Sequence, residues 1–179
     1  MRWKNSHERY GTLSVALHWL MFILMAAVYA SIELRVIFPK GSDPREFMKV
    51  LHFMLGLSVL LLVIIRVYAR LTHPTPPIKP ALSKSQQLAA DAGHLALYAL
   101  MISLPILGWL MLSASGKPIP FFGLELPALI DENKALAKQL KKIHETLGVL
   151  GYYLIALHVA AALYHHYFKK DNTLTRMLP

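Results

Sequence analysis

Residues 144–158 read HETLGVLGYYLIALH, with a histidine at each end and Glu145 as the only charged residue between them. Helix geometry gives the spacing its meaning. Fourteen steps of about 100° fall about 40° short of four full turns, so both rings leave one face of a helix. The rise between them is about 21 Å, most of the hydrocarbon core of a bilayer. Buried ionisable rings are costly in such a setting and need partners.

Composition places the chain in a membrane. Of 179 residues, 55% are hydrophobic and only 16% charged, with a mean hydropathy of +0.43. That is too apolar for an ordinary soluble domain. The apolar residues come in four blocks, each long enough to cross a bilayer as a helix: about 12–31, 47–67, 92–115 and 146–168. The first block exceeds a secretion signal's apolar core, and AVYAS (27–31) runs into Glu33 and Arg35 without a convincing processing site, so it is expected to remain as a span. The expected fold class is all-α: one domain over 1–179, an integral membrane four-helix bundle. There are no cysteines. Disulfides, thiolate-bound zinc, iron–sulfur clusters and covalent haem attachment are therefore excluded.

The connections complete the layout. Residues 32–46 hold the turn cluster FPKGSDP, and THPTPPIKP (72–80) is too proline-rich to be helical. The longest connection, 116–143, begins GKPIPFFG and ends ENKALAKQLKKI, where Leu136, Leu140 and Ile143 recur at helical spacing. A short interfacial helix running into the last span is expected there. Pro105 should bend the third span. Four spans put both termini on one side. That side carries 10 lysines and arginines against 9 on the other, a near-tie under the positive-inside rule. The net charge of +9 is mostly membrane-flank anchoring and implies no nucleic-acid partner.

With the termini inside, the histidines fall into two layers. His52 and His144 lie at the outer end of the bundle. His18, His94 and His158 lie toward the inner end. Haem b iron takes two axial ligands, commonly neutral imidazoles. Two histidine layers about 20 Å apart in a four-helix bundle suit two stacked haem b groups. Smaller features agree: Gly56 and Gly148 stand four residues after His52 and His144, and Ala162 four after His158. A missing or small side chain one turn on leaves room for a flat macrocycle. Arg66, fourteen residues after His52, shares its face at the inner depth and could pair with haem propionates. Small residues also occur wherever membrane helices pack.

The segments SVALHWLMF (14–22), THPTPPIKP (72–80), GHLALYALMISLPILGW (93–109) and IHETLGVLGYYLIALHVAAALYHHYFKKDNTLTRMLP (143–179) resemble the bacterial cytochrome b561 family over nearly the whole chain. That family is similar to the cytochrome b subunits of membrane formate dehydrogenases and nickel–iron hydrogenases. The resemblance implies an inner-membrane bundle with both termini cytoplasmic and two haem b groups. His52 and His144 would ligate the outer haem, and His18 with His158 the inner. His94 is then a quinone or inner-haem neighbour, or the ligand in place of His18. One family member is a superoxide oxidase, which implies an oxidoreductase passing electrons from periplasmic superoxide to ubiquinone.

Several readings stay open at this level. His165, two turns beyond His158, is a quinone or propionate candidate, while His166 points to the interface and His7 and His73 to the surface. The methionines read as gap-filling core, Trp19 and Trp109 as bundle packing and Trp3 as an interface anchor. Lys134, Lys138, Lys141, Lys142, Arg45 and Lys49 crowd the outer pair and could steer an anion. The alternatives are an electron-transfer anchor for a partner dehydrogenase, whose identity the sequence leaves unknown, and a haem-free metal-binding membrane protein. The latter predicts carboxylates within the spans, which apart from Glu145 are absent there.

Overall fold

The structure, a computed structural model, describes residues 3–178. Four long helices run in the order α1 (Thr12–Leu34), α2 (Asp43–Thr72), α3 (Lys84–Ala114) and α4 (Lys134–Tyr164). All four are long and apolar enough to cross a membrane. Each of the last three starts earlier than hydropathy alone indicates, because polar caps extend it beyond its apolar core. Ser83 and Gln86 form a reciprocal capping box, with the Ser83 amide donating to Gln86 Oε1 at 3.1 Å and the Gln86 amide to Ser83 Oγ at 3.3 Å. The polar approach SKSQQ therefore belongs to α3. Asn133 Oδ1 accepts from the Leu136 amide at 3.0 Å, so KALAKQLKKI forms the opening turns of α4 and not a separate interfacial helix. In α2, Pro44 sits in the first turn with Asp43 and Glu46, which suit the positive end of the helix dipole. Pro105 lies inside α3 without ending it.

The backbones of α1 and α2 pack closely, as do those of α3 and α4, and α2 joins the two halves through α3. Buried Met21, Val59 and Val63 form the core, flanked by Leu24, Met25, Tyr98, Met101 and Ile102. This apolar centre separates the two ends of the bundle. The rest of the apolar surface faces outward, as a chain immersed in lipid requires.

The longest connection is more ordered than a turn-rich loop. Gly116, at φ +63, closes α3: its amide reaches the Ser113 carbonyl at 3.0 Å and the Lys117 amide the Leu112 carbonyl at 3.1 Å. That is a Schellman closure, which needs a left-handed residue at this point. Beyond it, β1 (Ile119–Phe121) pairs antiparallel with β2 (Leu124–Leu126) through a two-residue turn, Phe122–Gly123, with both φ values positive. The Phe122 amide points to the Met54 sulfur at 3.4 Å, so the hairpin rests on α2 beside His52.

At the other end, α4 widens into a π turn (His165–Lys169), and Lys170 turns left-handed at φ +54. The chain then folds back as a strap across the terminal end. The Lys79 amide donates to Asn172 Oδ1 at 2.8 Å, and Trp19 Nε1 donates to the Met177 carbonyl at 2.7 Å. The Arg176 guanidinium donates to the Pro76 carbonyl.

Candidate functional site

Four helices bring five histidines into two groups. At the hairpin end, His52 of α2 faces His144 of α4, with ring centroids 6.2 Å apart and planes at 77°. At the terminal end, His158 of α4 faces His18 of α1 at 6.3 Å and His94 of α3 at 5.7 Å. Both rings of the 144/158 pair point into the bundle from one continuous helix, as their spacing requires.

These separations match a shared metal. Two metal–imidazole bonds of about 2 Å, each extended by about 1.1 Å to the ring centroid, place coaxial rings about 6.2 Å apart. The surroundings also fit a haem. His52 Nδ1 lies 3.0 Å from the Val28 carbonyl of α1. An Nδ1–H donated there leaves the Nε2 lone pair aimed away, the usual arrangement of a metal-binding imidazole. The His144 ring lies against Gly108 of α3, where an added Cβ would come 3.5 Å from Cε1. A Cβ added at Gly56 or Gly148 would meet nothing within 4 Å. Among the described residues, no group of three or more His, Asp or Glu is arranged to hold a metal ion. Paired rings with glycine beside them suit a macrocycle that fills four equatorial positions itself.

The terminal-end group is less simple. Arg66 reaches His18, with Nη2 3.2 Å from Nδ1. A guanidinium only donates, so Nδ1 accepts and the proton of the neutral ring sits on Nε2. Ligation through His18 Nε2 therefore requires this contact to yield. Arg66 does lie at the depth of this group, as its spacing from His52 indicates.

A cavity of about 240 Å³ opens beside His94, lined also by Tyr10, Arg70, Gln87, Asp91 and Arg176. Arg70 donates to Thr75 Oγ1 at 2.7 Å, and the Arg176 guanidinium lies 5.4 Å from the centre of the Tyr10 ring. His165 is committed elsewhere: its Nδ1 lies 2.5 Å from Asp171 Oδ2, in the strap. Burial opposes ionisation of Asp171, but hydrogen bonds from His165 and Thr173 outweigh it and hold its carboxyl below the usual range. His73 caps the end of α2 through the Ala69 carbonyl at 3.0 Å. Trp109 Nε1 donates to the Pro127 carbonyl at 3.0 Å, tying α3 to its following loop. Trp3 is exposed.

The basic residues near the hairpin-end pair divide into two sets. Lys49 pairs with Glu46 at 2.6 Å, Lys134 with Glu132 and Lys141 with Glu145, both at 3.6 Å. Arg45 donates to the carbonyls of Arg35 and Phe38. No ion pair among the described residues involves Lys138 or Lys142, and both are exposed.

Some of this had no sequence signal. The Val28 carbonyl is backbone, and nothing in the sequence marks Asp171 as the partner of a histidine six residues earlier. The clasp of Tyr29 and Tyr152 between α1 and α4 joins residues far apart in the chain.

Comparison with known proteins identifies the family. The chain is 41% identical to a protein named "Probable superoxide oxidase CybB" of Yersinia pestis, over 97% of each chain. It is 38% identical to "Cytochrome b561 homolog 1" of Escherichia coli K12 (96% of this chain, 98% of that one). It is 36% identical to "Cytochrome b561 homolog 2" of the same organism (99% and 95%). The family model described as prokaryotic cytochrome b561 matches residues 9–179. The chain belongs to the prokaryotic cytochrome b561 family, membrane proteins that bind haem b and transfer electrons.

Proposed function

We propose that this chain is a diheme cytochrome of the bacterial inner membrane, an oxidoreductase that takes electrons from superoxide at the outer face and delivers them to ubiquinone at the cytoplasmic side. The observation that carries the diheme part is one separation occurring twice, 6.2 Å for His52 and His144 and 6.3 Å for His18 and His158. The name of the Yersinia relative supports superoxide as donor. The whole chain acts as one domain, with the hairpin outside and both termini in the cytoplasm.

Bound haem supplies reversible one-electron chemistry. His52 and His144 would hold the outer group and His18 with His158 the inner. The Val28 carbonyl orients the His52 ring and fixes its tautomer. Arg66 is the cation suited to the inner propionates once it leaves His18. Lys138 and Lys142 favour approach of an anion to the outer pair. Beside His94, the cavity gives a quinone headgroup a polar seat, and the His94 ring N–H can donate to a quinone carbonyl oxygen.

The test begins with a reduced-minus-oxidised spectrum of purified protein and haem counted per chain. Two haems are expected, reduced by superoxide and reoxidised by ubiquinone. One haem per chain would end the diheme reading. Two haems inert to superoxide but reduced through a co-purifying dehydrogenase would make the chain that enzyme's anchor.

A further inference from the structure

Val28 offers its carbonyl to more donors than one oxygen accommodates. As a residue inside α1, it accepts the amide four residues on. Ser31 Oγ donates to the same oxygen at 2.7 Å, and His52 Nδ1 lies 3.0 Å from it. A carbonyl oxygen has two lone pairs, so three donors compete and each bond is weakened. Among the described residues, Ser31 Oγ has no second hydrogen-bond partner, and at 3% exposure it is buried. Both side-chain contacts have the ordinary length for their type, so both donors use the one oxygen. The hydroxyl thus takes acceptor strength that His52 would otherwise use.

This matters because the Nδ1–H bond sets how much electron density a histidine gives a metal on its other nitrogen. A strong acceptor pulls the proton, gives the ring imidazolate character and favours the higher oxidation state; a weak one does the reverse. Resting on the diheme reading above, we infer that Ser31 is a positioning residue that sets the reduction potential of the outer haem, by sharing the Val28 carbonyl with His52. The inner group has no matching arrangement: among the described residues, no serine hydroxyl shares a hydrogen-bond acceptor with His18, His94 or His158. The device therefore raises the outer potential selectively, helping that site draw an electron from its donor.

The test is potentiometric titration of the haem-loaded protein carrying Ser31→Ala. Freed of the hydroxyl, the Val28 carbonyl binds His52 more strongly, and one of two Nernstian components should move to lower potential. At the wild-type midpoint, the ferrous-to-ferric ratio of that component should fall roughly threefold to tenfold, the worth of one neutral hydrogen bond. Ser31→Thr keeps the hydroxyl and should restore the wild-type curve. Ser58→Ala is the control, because Ser58 Oγ donates at 2.8 Å to the Met54 carbonyl, which no histidine shares. That variant should leave both components in place. Unmoved components in Ser31→Ala, an upward shift, or equal movement of both would overturn the inference while two haems per chain keep the ligand reading intact. If wild-type protein binds haem but His52→Ala retains all of it, the ligand reading itself fails.

Discussion

The Tyr29 hydroxyl of α1 donates to the Gly148 carbonyl of α4 at 2.9 Å, and it can do so only because residue 151 is glycine. A Cβ at Gly151 would collide with the Tyr29 oxygen. The two helices touch little through their backbones, so side chains carry the join. Tyr152 adds to it, packing against Tyr29 at 4.3 Å between ring centroids with the planes tilted by 47°, and donating to Glu33 Oε1 at 2.8 Å. Tyr29→Phe should cost about 1 kcal/mol, the net worth of one hydrogen bond. Gly151→Ala should cost about 1–3 kcal/mol, because the ring must be displaced. Thermal unfolding in detergent reads both. A Gly151→Ala protein as stable as the parent would show that α1 and α4 do not depend on this clasp.

Under the proposed diheme reading, three histidines at the terminal end stand for two ligand positions, and replacement separates them. Under the proposed ligand set, His18→Ala and His158→Ala each lose one haem per chain, and His94→Ala keeps both. His52→Ala and His144→Ala each lose the other haem. Haem extracted and quantified per chain decides the matter. His94 stands 5.7 Å from His158, and loss of haem in His94→Ala with retention in His18→Ala would exchange their roles.

The reach of the sequence was set by what periodicity encodes. The fourteen-residue step from His144 to His158 puts both rings on one face because a membrane helix has few ways to depart from regular geometry. The depth of Arg66 followed from the same arithmetic. Hydropathy places the helix starts too late because capping side chains such as Ser83 and Asn133 continue a helix into polar sequence that it excludes. The hairpin at 119–126 was unread because its turn is Phe122–Gly123, and phenylalanine at positive φ is not a usual turn signal. His165 was read by face alone, which gave no sign that the chain reverses at Lys170 and returns Asp171 to it.

That reversal makes the strap sensitive to acid. The Asp171 carboxyl is held below its ordinary pKa by His165 and Thr173. Its contribution is therefore complete above the ordinary value of about 3.9 and fades as pH falls through that value toward the depressed one. Asp171→Asn should loosen residues 171–178 already at neutral pH. Trp19, whose indole is tied to Met177, supplies a fluorescence reporter. The variant should show the shifted emission at pH 7, and the parent should approach it only in acid. Identical emission from both at pH 7 would mean that the other strap contacts hold without the carboxylate.

Charge near the outer pair gives the last expectation. Lys49, Lys134 and Lys141 each face a carboxylate within 4 Å, so each contributes little net field at a distance. Lys138 and Lys142 have no such partner among the described residues and stand on the opening turns of α4, leading to His144. Of these five lysines, those two should contribute most to drawing an anion toward this end. Lys138→Glu with Lys142→Glu should slow haem reduction by superoxide roughly tenfold at low salt, and the difference should shrink as ionic strength rises, because screening shortens the field to about 10 Å at 0.1 M. Lys49→Gln should have a much smaller effect. Stopped-flow reduction across a salt series reads all three, and equal slowing by Lys49→Gln would mean that total charge, not the unpaired lysines, governs the approach.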